Sequence, residues 1–73
     1  MNVYDQRKTC EKVLYLAASC DMSDKELAEE IHISPQAVSK WRCYNSAPSI
    51  DNLCIMTGIF AVPLNEIVVI KTI

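Results

Sequence analysis

An all-α domain is the fold class this sequence predicts, on three observations. One glycine and three prolines among 73 residues leave few sites for hairpin turns, so short helices with tight connections are favoured. Apolar residues recur at three-and-four spacing instead of alternating. Ser-x-x-Glu and Ser-Pro pairs mark helix starts. The length suits one small domain over residues 1–73, near the lower limit at which an apolar core outweighs chain entropy unaided. A composition of 51% hydrophobic and 22% charged residues favours a globule over disorder.

Five helices are expected. The first runs from about Asp5 to Ser19, with Cys10, Val13, Leu16 and Ala17 on a buried stripe and Leu14 and Tyr15 off it. Ser23 and Glu26 form a capping box for the second, whose inner face is Leu27, Ala28 and Ile31 and whose Lys25, Glu29 and Glu30 face water. Ser34 caps the third, with Pro35 in the first turn, where a missing N–H costs nothing. Only Val38 and Trp41 have core spacing there, which turns Gln36, Ala37, Ser39 and Lys40 outward. After the loop "CYNSAP", a fourth helix spans about Ser49 to Ala61 with Ile50, Leu53, Cys54 and Phe60 inward. Pro63 opens a short fifth helix, "PLNEI", and the β-branched residues 68–73 favour an extended tail.

Four cysteines in so short a chain would suggest a disulfide framework in a secreted protein. The charged start "MNVYDQRKTCEK" has no apolar segment of a signal peptide, so a cytoplasmic location is expected. Cys10, Cys20, Cys43 and Cys54 are irregularly spaced with only His32 to join them, so reduced core or near-surface thiols are expected, with no metal and no cofactor. No apolar run reaches membrane-spanning length. A net charge of −2 argues mildly against nucleic acid, although the placement of the seven basic residues matters more than the sum.

Two short helices joined by a three- or four-residue turn, with a small residue, Ala28, at their crossing, have the form of a helix-turn-helix whose second helix can enter a DNA major groove. "LAEEI", "ISPQAVSKW", "PSIDNL" and "FAVPLNEI" follow in the order and separation of a known family: from Val13 to Ile67 the chain resembles, without a gap, the Cro and phage-repressor type, or XRE-like, regulators. That resemblance implies a five-helix domain binding double-stranded DNA, with the helix opening at Pro35 as the reader. It implies that Gln36 makes a bidentate contact to adenine, Ala37 meets a thymine methyl, Ser39 and Lys40 reach bases or phosphates, and Asn45 and Ser46 hold the backbone. Ser34 caps and can donate to phosphate. Trp41 sits at a core position of the family, filling the space between helices in preference to stacking on bases.

The departures from the family are specific. His32 stands where Gly is usual and must accept φ > 0. Asp24 stands where Gln often meets a phosphate, Tyr44 replaces a capping Gly, and Arg42 and Ala17 replace the Glu and Arg of a buried ion pair. Arg42 then either points outward to a phosphate or remains a surface residue. Lys40, Arg42, Gln36, Asn45 and Ser46 gather at the third helix, leaving a neutral to basic face, while Glu26, Glu29 and Glu30 cluster on the second.

Few phosphates can be neutralised per copy, so a homodimer on two half-sites is expected. Val62, Leu64, Val69, Ile70 and Ile73 are candidates for its interface, the alternative being that they close the core. The leading expectation is a sequence-specific DNA-binding transcriptional regulator with no sensor domain and no small-molecule ligand, controlled by concentration, proteolysis or a regulatory protein partner. The alternative is a protein-interaction module, such as an antirepressor, an antitoxin or an inhibitor of a nucleic-acid enzyme, motivated by Asp24, the acidic second helix and the apolar tail. An enzyme is not expected, since one histidine, no paired carboxylates and no Gly-rich loop leave catalysis without groups to use.

Overall fold

Each helix begins on a side-chain cap. The structure, a computed structural model, describes residues 1–73 and runs β1 (Asn2–Tyr4), α1 (Gln6–Ser19), α2 (Asp24–Glu30), α3 (Pro35–Arg42), α4 (Ile50–Phe60), a 3-10 turn (Leu64–Glu66) and β2 (Ile70–Thr72). Asp5 accepts from the Lys8 N–H at 2.9 Å at the start of α1. Ser23 opens α2 with the expected capping box: its hydroxyl accepts from the Glu26 N–H, and Glu26 Oε1 accepts from the Ser23 N–H, both at 3.1 Å. Ser34 caps α3 through the Ala37 N–H at 3.3 Å with Pro35 in the first turn, and Ser49 caps α4 through the Asn52 N–H at 3.2 Å.

The helix ends share a less comfortable device. Asp21, His32, Tyr44 and Ala61 have φ of 56°, 59°, 60° and 55°, a left-handed conformation in which Cβ crowds the carbonyl oxygen. Behind each, a six-residue closure satisfies an orphan carbonyl: Met22 N–H to Ala17 O, Ile33 N–H to Ala28 O, Asn45 N–H to Lys40 O and Val62 N–H to Thr57 O, at 2.9 to 3.2 Å. The left-handed His32 expected from its position is therefore present, and Tyr44 ends α3 in the same way despite its bulk. The chain's one glycine, Gly58, lies inside α4 and serves none of these turns.

Twelve apolar side chains form the core: Cys10, Val13 and Ala17 from α1, Leu27, Ala28 and Ile31 from α2 and its end, Val38 and Trp41 from α3, Leu53, Met56 and Phe60 from α4, and Ile67. Leu16 is only partly buried, and so is Leu14, which was expected off the stripe. Two expectations for α4 are corrected. Ile50 is 59% exposed because it lies in the first turn, beyond the edge of the core, and Cys54 is exposed because the buried stripe runs through Leu53, Met56 and Phe60.

The expected all-α, five-helix architecture is also corrected, to four helices, one 3-10 turn and a two-stranded sheet. After Pro63 the chain makes a single turn and leaves helix, since the β-branched run from Ile67 favours extension and Ile67 itself drops into the core, fully buried. The tail is extended as expected, but it pairs with the N-terminus: β2 lies antiparallel to β1, with Val3 opposite Lys71 and Tyr4 opposite Ile70. The Met1 and Ile73 backbones bond at 2.9 Å in both directions. Where the sheet meets α1, the Asp5 N–H donates to the Val69 carbonyl at 2.8 Å, and the buried Thr9 hydroxyl accepts from the Val69 N–H at 2.9 Å.

Two substitutions probe these features. Ala61→Gly relieves a left-handed Cβ at an exposed site and should raise stability by about 0.5–1 kcal/mol, read as a higher urea midpoint with unchanged m value. Thr9→Val keeps the shape but strips the Val69 N–H of its acceptor, and should lower stability by about 1–3 kcal/mol in the same assay.

Candidate nucleic-acid interface

α3 packs against both α1 and α2 and is anchored by Val38 and Trp41, which are 0% and 2% exposed. Trp41 is thus a core plug. Helical spacing places Gln36, Ser39, Lys40 and Cys43 together on the side away from those anchors, and all four are exposed. Ala37, expected to turn outward, is half-buried on the flank. Ser34 and Pro35 are exposed at the N-terminal end of α3, and Asn45 and Ser46 are exposed in the loop beyond its C-terminal end. Cys43 was not picked out from sequence, because it was read only as a thiol and not as the residue three and seven places beyond Lys40 and Gln36.

The loop after α3 is held to α1 by contacts that leave little trace in the sequence. The buried Cys10 thiol donates to the Ser46 carbonyl at 3.4 Å, and burial pushes its pKa up, which keeps it a protonated donor. The Tyr44 hydroxyl donates to Glu11 at 3.1 Å, and the Arg7 guanidinium lies 4.6 Å from the Tyr44 ring centroid. Arg7 also approaches Glu11, one turn further along α1, at 3.7 Å. The tyrosine that replaces a capping glycine is therefore clamped from α1 on both its face and its hydroxyl.

α3 carries no acidic residue, and its last turn holds Lys40 and Arg42. On α2, Glu26, Glu29 and Glu30 are exposed. Arg42 makes a bidentate pair with Asp24 at the start of α2, Nη2 to Oδ1 at 2.7 Å and Nε to Oδ2 at 3.1 Å. Hydrogen bonding to Asp24, more than its charge, raises the Arg42 pKa further. Neither sequence alternative for Arg42 anticipated this partner.

A family model described as helix-turn-helix matches residues 15–67. The chain belongs to the Cro/C1-type, XRE-like helix-turn-helix family. No curated protein and no solved structure matches it. The family is one of DNA-binding domains, and in this member α2 and α3 form the helix-turn-helix, joined by Ile31, His32, Ile33 and Ser34. No helix is long and apolar enough to cross a membrane. No group of three or more His, Cys, Asp or Glu side chains is placed to hold a metal ion.

The capping box that fixes the start of α2 should be visible in a pH titration. Acceptance from the Ser23 backbone N–H, and then from its side chain, lowers the Glu26 pKa below the ordinary carboxylate value. A depressed folded-state pKa gives stability that is present above the unfolded value and lost as pH falls through the folded one. Glu26→Gln should therefore flatten the acid limb of the thermal midpoint against pH in that window, and should leave the neutral and alkaline limbs parallel to the parent.

Proposed function

We propose that this helix-turn-helix protein is a sequence-specific transcriptional regulator that reads the major groove of double-stranded DNA with α3. The observation that carries the reading is the division of α3 itself: Val38 and Trp41 are locked in the core, while Gln36, Ser39 and Lys40 stand clear of it. Gln36 is the base reader, its carboxamide matching the N6 and N7 edge of adenine. Ser39 and Lys40 reach neighbouring bases or phosphates, Ala37 presents its methyl from the flank, and Ser34, Asn45 and Ser46 hold the sugar-phosphate backbone at the two ends of the helix.

A homodimer follows from the low charge of this face, since a single copy with Lys40 as its one unpaired cation on α3 binds weakly. Support for a second copy comes from an apolar groove of about 470 Å³ lined by Tyr4, Pro48, Ile50, Leu53, Val68 and Ile70. It adjoins a hollow of about 580 Å³ that reaches Leu64. Ile70 and Ile73 are 63% and 69% exposed there and at the chain end, whereas Val62, Leu64 and Val69 are half-buried and contribute less.

A second reading, a module that binds a polypeptide, draws on the exposed carboxylates of Glu26, Glu29 and Glu30. Fluorescence titration with random duplex at low and moderate salt separates the two, because binding that weakens with salt supports DNA and no binding in either condition supports a protein partner. Selection from a randomised duplex pool should recover a palindrome with half-sites about one helical turn apart. On the selected site Gln36→Ala should cost about 1–3 kcal/mol and relax preference at one base position. Equal losses on selected and random DNA would remove Gln36 from the reading role.

A further inference from the structure

The Asp24–Arg42 pair is poorly explained by stability. Its side chains are 39% and 56% exposed, and an ion pair in so much water contributes about 0–1 kcal/mol. Its geometry is more informative. Two nitrogens of one guanidinium edge, Nε and Nη2, each meet one oxygen of one carboxylate, which is the same planar fork a guanidinium offers to a phosphate. The cap of α2 is supplied by Ser23, so beyond its favourable place in the first turn of that helix the Asp24 carboxylate is left to pair with Arg42. Its backbone is fixed in the first turn of α2, so the carboxylate is already aimed when Arg42 arrives from the last turn of α3.

Resting on the DNA reading above, we infer that Asp24 is an internal competitor for phosphate, holding Arg42 off the DNA backbone and keeping sequence-blind affinity low. A phosphate that captured Arg42 would exchange one singly charged oxyanion for another and leave Asp24 uncompensated beside the polyanion, so the exchange is unfavourable. Arg42 therefore releases no counterion when the protein binds, and Lys40 is the α3 cation left to do so. The departures at both positions are then linked: a carboxylate at Asp24 is tolerable on a DNA-binding face because Arg42 neutralises it, and Arg42 is silent because Asp24 occupies it. The base contacts of Gln36 and its neighbours supply a correspondingly larger share of the binding.

The test is the slope of log K against log salt on random duplex for the full chain and its variants. Asp24→Asn keeps the shape, frees the fork, and should tighten binding several-fold with a slope steeper by about 0.9 per subunit. Removing both groups, Asp24→Asn together with Arg42→Gln, should leave the slope at the parent value, since that guanidinium was never on a phosphate. Arg42→Gln alone leaves Asp24 uncompensated and should weaken binding at low salt. Glu30→Gln, an equal charge change on the same helix, should leave it close to the parent value. The inference is overturned if the double variant flattens the slope by about 0.9 relative to the parent, which would put Arg42 on phosphate in the parent. It is equally overturned if Asp24→Asn steepens the slope no more than Glu30→Gln does. Absence of duplex binding by every variant at every salt would instead remove the DNA reading itself, and this inference with it.

Discussion

The direction in which α3 points depends on two buried side chains. Val38 and Trp41 are held by core residues from the neighbouring elements, and a helix of eight residues anchored twice along one side cannot roll about its axis without exposing one anchor. The small Ala28 on α2, itself fully buried, leaves room for a close approach between the two helices. Exposure of Gln36, Ser39 and Lys40 is therefore a consequence of packing on the opposite side of the helix. The flanking contacts refine that orientation: the Asp24–Arg42 fork ties the end of α3 to the start of α2, while Arg7, Glu11 and Cys10 tie the following loop to α1.

The same chain runs on strained closures. Four non-glycine residues in left-handed geometry, in a protein of 73 residues, amount to a standing conformational cost of order 1–2 kcal/mol at each site. They persist because each lies between a helix that must stop and a segment whose apolar residues must reach the core. At His32 the turn separates Ile31 from Ile33 and fixes the angle between α2 and α3. At Tyr44 part of the cost is offset by the stacking of Arg7 and the bond to Glu11.

Local signals were the legible ones. Ser23 and Ser34 announced their helices because a cap acts within three residues, and the stripes of α1, α2 and α3 showed the core because periodicity is carried by the chain itself. What stayed hidden depends on residues far apart in sequence. The N-terminal strand has no pattern of its own and exists because the tail lies beside it, the pairing of Asp24 with Arg42 spans 18 positions, and the Tyr44 to Glu11 bond spans 33. Ile50 illustrates the complementary failure, since its spacing matches the buried stripe of α4 but its place in the first turn puts it outside the core. At the candidate interface, the outward residues of α3 could be derived from periodicity, whereas the occupied state of Arg42 could not.

The joining of β1 to β2 has a kinetic meaning. Its hydrogen bonds reach across 72 positions, while the contacts within and between α1, α2 and α3 lie much nearer in sequence. Closure entropy rises with loop length, so the terminal pairing costs more to close than the contacts among the helices. Thr9 and Asp5 join the strand pair to α1 through the Val69 backbone. Amide exchange is therefore expected to be faster in the strands at the two chain ends than in α3.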